Sequence, residues 1–196
     1  QERDRLLNGF RRGAPAPARM PPHTNLCPIR EVGEFAGHHY AVMAYIVGEP
    51  LSQARRSLSV PQAIRLVRKI ARAMQIAHDH GVIHRDLKPA NVMLVDGREP
   101  VIMDFGLALR TDVEEDHKTT VGRLMGTPVY MSPEQISDPE RVGLRTDVYS
   151  LGVILYELLA GQLPYVGTLY HVLQQIGIGE PRPPSDGNPA GDAATE

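Results

Sequence analysis

The chain of 196 residues is 42% hydrophobic, which is enough to bury the core of about one domain. Its formal net charge of −2 offers neither the basic surface of a nucleic-acid-binding protein nor a polybasic membrane patch. The single cysteine, Cys27, excludes an intramolecular disulfide framework, and no apolar run approaches the ~20 residues of a membrane span. These properties predict a cytoplasmic location, no membrane span in this chain and no nucleic acid among its partners.

The first half of the chain predicts two short strands followed by one long helix. Residues 1–22 contain four prolines, which remove backbone donors and interrupt any helix that starts there. Leu26–Val32 and Tyr40–Val47 read as strands on either side of a turn at Gly37–His39. Between Ser59, a capping residue, and Gly81, a residue suited to a left-handed end, apolar side chains recur at helical spacing and predict a helix.

The second half predicts a hairpin, a long polar loop and a buried helix. Residues 92–103 place two valine-containing runs around an Asp-Gly turn, which is typical of a hairpin. Residues 107–125 are polar and without periodicity, so a loop is expected. Val148–Leu159 is apolar with few charges and predicts a deeply buried helix, whereas Leu169–Ile176 predicts a weaker one.

Three short motifs carry the chemistry: HRDLKPAN at 84–91, DFG at 104–106 and GTPVYMSPEQ at 126–135. Asp86 is suited to accept or orient the proton of an attacking hydroxyl, and Lys88 to neutralise charge on a transferring phosphate. Asn91 and Asp104 provide the hard oxygen ligands that magnesium prefers. Each motif alone is common, but their order and spacing together indicate phosphoryl transfer.

These motifs resemble, position by position, the catalytic and metal-binding loops of eukaryotic-like (Hanks-type) serine/threonine protein kinases, especially bacterial ones. The resemblance covers roughly residues 23–180, and Lys88 is similar to the serine/threonine branch rather than the tyrosine branch. It implies an α+β protein-kinase-like fold, with a mostly helical large lobe and only a remnant of the small β lobe. It also implies ATP and Mg²⁺ as cofactors and proteins bearing Ser or Thr as substrates, with autophosphorylation among the expected reactions.

The same resemblance divides the chain into four parts. Residues 1–22 would be a divergent, proline-broken segment, and 23–48 the remnant of the small lobe with the hinge. Residues 49–180 would be an incomplete large lobe, and 181–196 a flexible tail.

Nucleotide-binding roles follow from the resemblance as well. Met43 looks like the gatekeeper at the back of the adenine pocket, and Ala44 and Ile46 like the hinge residues whose backbone carbonyl and amide pair with adenine. Met93 would floor the adenine ring, and Lys88 would contact the phosphate. Taken alone, each of the two methionines would be interpreted as an ordinary core residue.

The resemblance assigns regulation to the segment between the second and third motifs. A phosphate on Thr119 or Thr120 would pair with Arg85 and order the loop, although two solvated threonines are the simpler alternative. Thr127 stands where the family's threonine hydrogen-bonds the catalytic aspartate and lysine and shapes the substrate pocket.

Three further residues have structural roles in the family. Phe105 would pack inward and decide whether the neighbouring aspartate faces the metal. Glu134 belongs to an APE-like segment with serine in place of alanine. Asp147 resembles the buried helix aspartate that holds the backbone of the catalytic loop, and an N-cap role remains open for it.

The chain also departs from the family pattern. No glycine-rich phosphate loop precedes the hinge, and the first of the three lysines (Lys69, Lys88 and Lys118) lies inside the long helix. Gly13 stands where the partner glutamate of the strand lysine is expected, and no arginine is found to pair with Glu134. These departures leave two alternatives open: a non-catalytic kinase-like binding module and a small-molecule phosphotransferase.

Overall fold

The computed structural model describes residues 20–36, 38–105 and 128–186. Their architecture is α+β, as predicted, with two small antiparallel sheets and a group of helices. No described helix combines the length and apolar character needed to cross a membrane. The elements are β1 (Ile29–Phe35), β2 (His38–Met43), β3 (Glu49–Pro50), α1 (Leu51–Ala54), α2 (Val60–Asp79), β4 (Val92–Val95), β5 (Glu99–Ile102), α3 (Pro133–Ser137), α4 (Leu144–Ala160) and α5 (Leu169–Ile178).

The first predicted strand begins three residues later than expected, because Leu26 and Cys27 belong to another sheet. Leu26 forms a parallel bridge with Ile102 of β5, and the Cys27 amide donates to the Ile102 carbonyl at 2.9 Å. β1 then pairs with β2 from Ile29 opposite Met43 to Phe35 opposite His38. The segment before β1 is therefore attached to the sheet that carries the second half of the chain.

The second predicted strand ends at Met43 rather than at Val47, since the chain leaves β1 there. After an extended hinge at 44–48, β3 pairs with β4, with Glu49 opposite Leu94. Gly48 lies so close to this strand that an added Cβ would be 2.5 Å from the Leu94 carbonyl oxygen. Glycine at this position lets the hinge lie directly against β4.

α2 begins with a capping box, in which the Ser59 amide donates to Gln62 Oε1 at 2.8 Å. Its apolar face is buried from Ala63 to Ala77, and the helix stops before Gly81, whose φ is 73°. α4 begins at Leu144, four residues earlier than predicted, because Thr146 and Asp147 are buried polar residues of its first turn.

α2 packs against α4 and against β5, and their buried side chains belong to one hydrophobic core. Residues 84–91, the loop that joins α2 to β4, pack against this core through His84 and Leu87, while Asp86 remains exposed. The largest fully buried apolar side chains of the core are Leu51, Ile70, Val82, Leu87, Val92, Leu94, Ile102, Phe105 and Ile154.

Candidate active site

The loop at 84–91 is held by Asp147, which reaches it from α4. Its carboxylate accepts hydrogen bonds from the His84 and Arg85 amides, both at 2.9 Å, and from His78 Nε2 at 2.8 Å. Asp147 is only 1% exposed, and these three donors compensate for the burial of its charge. The N-cap alternative is wrong, because α4 starts at Leu144 and places Asp147 inside the first turn.

Asp86, Lys88 and Asn91 come together at the surface of this loop. Lys88 Nζ donates to both carboxylate oxygens of Asp86, at 2.9 and 2.7 Å. Asn91 Nδ2 donates to the Asp86 carbonyl at 2.8 Å and to its carboxylate at 3.1 Å. The Asp86 side chain is 52% exposed, so a carboxylate fixed on one side by two donors remains accessible on the other.

Asn91 and Asp104 are brought to the same end of the β4–β5 hairpin. The Met103 amide donates to the Asn91 carbonyl at 2.8 Å. Asp104, which follows Met103, is therefore placed beside Asn91, which precedes β4. The side-chain nitrogen of Asn91 is used by Asp86, which leaves its amide oxygen as a ligand. An amide oxygen and a carboxylate fit Mg²⁺. Among the described residues, no group of three His, Cys, Asp or Glu forms a different metal site.

His84 and Phe105 form the buried support of the loop. The ring centroids lie 4.8 Å apart at a tilted angle, and Phe105 is 2% exposed. The Asp86 amide donates to His84 Nδ1 at 3.3 Å, so Nε2 carries the proton and donates to the Met103 carbonyl at 2.9 Å. Burial lowers the pKa of His84, although the Met103 carbonyl and nearby carboxylates oppose this shift. The imidazole is therefore a neutral structural group.

The four predicted nucleotide contacts lie at the end of β2, in the hinge that follows it, and in β4. Met43 ends β2, Ala44 and Ile46 follow in the hinge, and Met93 lies opposite Pro50 in the β3–β4 pair. All four predicted nucleotide contacts are half-buried rather than part of the closed core.

A contact that the sequence did not indicate involves Cys27. Its thiol donates to the Ala44 carbonyl, with a sulfur–oxygen distance of 3.5 Å. Burial, followed by the charge of Asp104, raises the pKa of the Cys27 thiol and keeps it protonated. Cys27 thus acts as a small buried residue behind the hinge, which agrees with the simplest interpretation of a lone cysteine.

Glu134 makes a contact that the motif alone did not indicate. Its carboxylate accepts a hydrogen bond from the buried Thr146 hydroxyl at 2.8 Å. Partial burial acts against ionisation, but the Glu134 backbone amide and the Thr146 and Ser132 hydroxyls lower the pKa of Glu134 overall. In the described part of the chain, the first turn of α4 thus holds the first turn of α3.

Gln135 was also missed by sequence reasoning, although it lies inside the third motif. Its side-chain Nε2 donates to the Arg85 carbonyl at 2.7 Å, and its Oε1 accepts from the Ser132 amide at 3.0 Å. The capping-box pattern Ser-x-x-Gln predicts the second of these bonds but gives no signal for the first.

Three distant residues form a buried polar cluster that no motif indicated. Glu157 of α4 is 5% exposed; it pairs with Arg55 Nη1 at 2.7 Å and accepts from the Tyr130 hydroxyl at 2.7 Å. Burial, assisted by the Glu157 contact, raises the pKa of Tyr130, so its hydroxyl remains a donor. Through Glu157 of α4, the cluster joins the turn after α1, which carries Arg55, to the third motif, which carries Tyr130.

Thr119, Thr120 and Thr127 lie outside the residues that the structure describes, so their predicted roles stay predictions. Arg85, the expected partner of a phosphate on Thr119 or Thr120, is half-buried beside Asp86 and has a left-handed backbone, with φ of 66°.

Comparison with known proteins supplies independent findings. A family model described as "Protein kinase domain" matches residues 14–180. The probable serine/threonine-protein kinase PknB of Lactococcus lactis is 38% identical over 167 residues, which are 84% of this chain and 26% of that protein. Serine/threonine-protein kinase Pkn1 of Myxococcus xanthus is 37% identical over 180 residues, 89% of this chain and 26% of that protein. The chain thus spans about a quarter of the length of these relatives.

A solved structure is also similar. The crystal structure of the Mycobacterium tuberculosis PknI kinase domain, in a mutant with one cysteine replaced by alanine, matches with a TM-score of 0.67 and 27% sequence identity. The match covers 95% of this chain and 66% of that one.

Proposed function

The chain belongs to the protein kinase domain family, and from that premise we propose that it carries a serine/threonine-specific kinase site. The reaction is transfer of the γ-phosphoryl group of ATP, with Mg²⁺, to Ser or Thr hydroxyls of proteins, in the cytoplasm. The observation that carries the proposal is the contact of Asp86 with both Lys88 and Asn91.

Asp86 is the proposed proton acceptor for the substrate hydroxyl. Its carboxylate is exposed on one side, where a protein substrate can reach it, and is oriented on the other by Asn91. The Lys88 ammonium lies against the same carboxylate, where it can neutralise charge on transferring phosphate oxygens. Such positioned charges are the main contribution of a protein to phosphoryl transfer.

Asn91 and Asp104 would hold the magnesium ion, which neutralises phosphate charge when bound. Met43, Ala44, Ile46 and Met93 would contact the adenine ring. Support for this assignment comes from the half-buried state of all four residues, at the end of β2, in the hinge and in β4.

The proposal includes control by phosphorylation, autophosphorylation included. A phosphate on Thr119 or Thr120 would pair with Arg85, whose backbone is held directly beside Asp86. Thr127 would contact Asp86 and Lys88 when a protein substrate binds.

A kinase-like binding module is the second candidate, favoured by one observation. None of the three lysines in these 196 residues precedes the hinge, and Lys69 of α2 pairs with Glu99 of β5. The phosphate-gripping lysine of the family therefore has no counterpart within this sequence. Loss of such a contact can reduce a rate by orders of magnitude.

The test is radiolabelled phosphate transfer from Mg–ATP to the chain itself, to a generic protein substrate and to an aminoglycoside acceptor. Asp86→Asn should reduce incorporation by at least about 100-fold, since general-base groups contribute that much or more. Asp96→Asn, a matched change at an exposed turn residue, should leave incorporation unchanged.

Incorporation into protein that depends on Asp86 supports the kinase. Preferred labelling of the aminoglycoside would contradict the protein-substrate assignment. No incorporation together with Mg²⁺-independent or absent ATP binding would favour the binding module.

A further inference from the structure

The hydrogen bond from Gln135 to the Arg85 carbonyl joins α3 to the loop at 84–91, across 50 residues of sequence. At 2.7 Å it is a short bond, and it links α3 to the peptide unit that leads directly into Asp86. A role for this bond in orienting Asp86 rests on the proposed function, in which Asp86 is the proton acceptor.

Arg85 needs to be held, because its φ of 66° lies in the left-handed region that non-glycine residues avoid. Its amide is fixed by Asp147 at 2.9 Å, as is the amide of His84. Gln135 fixes the carbonyl on the other side of the same residue. Arg85 is thus restrained at both of its peptide units, and the Asp86 carboxylate follows directly.

Glutamine is the side chain that this position needs, since it both accepts and donates. Its Oε1 accepts from the Ser132 amide and so caps α3, while its Nε2 remains available to donate to the Arg85 carbonyl. A glutamate would cap the helix equally well but, when ionised, would have no donor.

A second capping box in the same chain gives an internal comparison. Ser59 and Gln62 at the start of α2 form the same Ser-x-x-Gln box, with 2.8 Å between the Ser59 amide and Gln62 Oε1. Gln62 has no distant hydrogen-bond partner among the described residues, so its capping function stands alone. The same substitution at Gln62 and at Gln135 therefore separates the effect of losing the donor to the Arg85 carbonyl from any effect on helix capping.

We infer that Gln135 is a positioning residue, which sets the orientation of Asp86 by holding the Arg85 carbonyl. Through it, the placement of α3 and the placement of the catalytic loop depend on each other. Gln135 itself touches no reacting atom in this assignment; it acts through the Arg85–Asp86 peptide.

The test compares Gln135→Glu with Gln62→Glu in the full 196-residue chain. Both changes keep a capping oxygen, but only the first removes the donor to the Arg85 carbonyl. Native-state hydrogen exchange at the Arg85 and Asp86 amides should become about tenfold faster in Gln135→Glu and stay unchanged in Gln62→Glu. In the transfer assay, kcat should fall by a similar factor, with KM for ATP changed less than about twofold.

Gln135→Met is the second variant, which removes both the donor and the capping oxygen without introducing a charge. Faster exchange at Arg85 and Asp86 in both Gln135 variants supports the inference. Exchange rates equal to wild type in the folded Gln135→Met variant overturn it, as does an equal acceleration in Gln62→Glu. If the wild-type chain transfers no phosphate, the proposed function of this chain fails, yet the exchange data still decide the role of Gln135.

Discussion

Two non-glycine residues with left-handed backbone lie on either side of the candidate site: Arg85, with φ of 66°, and Asp104, with φ of 57°. Such conformations cost about 1–2 kcal/mol per residue, so they persist only where surrounding contacts impose them. At Arg85 the contacts are the Asp147 carboxylate and the Gln135 amide. At Asp104 the Met103–Asn91 backbone bond fixes the preceding residue. Strain at both places agrees with a site whose side chains must point in one direction.

A residue-scale prediction concerns Arg55, the cation that pairs with buried Glu157. Arg55→Met should lower the free energy of unfolding by about 2 kcal/mol, because it leaves a buried carboxylate without its charge partner. This loss of stability is smaller than the loss expected for a fully buried ion pair, since the Arg55 side chain is 31% exposed. Urea unfolding followed by circular dichroism measures the change.

Arg56→Met is the matched control, because Arg56 is exposed and adjacent in sequence. It should change the free energy of unfolding by less than about 0.5 kcal/mol. Equal losses in the two variants would show that the Arg55–Glu157 pair contributes nothing specific.

At the scale of elements, the hinge and the β3–β4–β5 sheet are one unit. Leu26 and Cys27 join β5, β3 joins β4, and the hinge between them lies against the Leu94 carbonyl at Gly48. The positions of the proposed nucleotide contacts in the hinge therefore depend on how closely the hinge packs against β4.

Gly48→Ala tests this packing. The new Cβ would lie 2.5 Å from a backbone oxygen, so the hinge must move away from β4, and overpacking of this kind costs about 1–3 kcal/mol. Gly152→Ala in α4 has open space around the new Cβ and should stabilise the chain by up to about 1 kcal/mol. Urea midpoints that move in the same direction for both variants would contradict the close approach at Gly48.

For the whole molecule, burial of His84 against the hydrophobic core makes the free energy of unfolding depend on pH. Burial keeps the folded-state pKa of His84 below its ordinary value of about 6.5, so the unfolded chain binds more protons as the pH falls through this value. Stability should therefore be highest above about pH 6.5 and decrease below it, by at most about 1.4 kcal/mol per pH unit for this group.

Urea midpoints at about pH 7.5 and about pH 5.5 measure this dependence, above the range in which carboxylates titrate. His84→Gln should reduce the difference between the two midpoints, whereas His171→Gln, at an exposed position of α5, should preserve it. A pH dependence that survives unchanged in His84→Gln would assign the effect to another group.

Much of the fold could be predicted from local patterns. The α2 helix, the β4–β5 hairpin and α5 lie where periodicity and turn residues indicated them, and the kinase-like fold is confirmed by the family match. The errors are at boundaries where a residue has a distant partner. Leu26 pairs with β5 rather than with β2, and the start of α4 is polar because Thr146 and Asp147 hold other segments.

The sequence by itself determined the family and predicted the reacting groups of the candidate site. Asp86, Lys88 and Asn91 stand within six positions of one another, so a contiguous motif is enough to place them together. The resemblance also predicted that Asp147 holds their loop, as its bonds to the His84 and Arg85 amides agree, but only the tertiary structure decided the other distant contacts. The Gln135–Arg85 contact joins α3 to the loop at 84–91, and the Arg55–Glu157 contact joins the turn after α1 to α4; no local period encodes such distant pairs. Residue type therefore predicted the chemistry of the site, and packing determined the geometry of the side chains that form it.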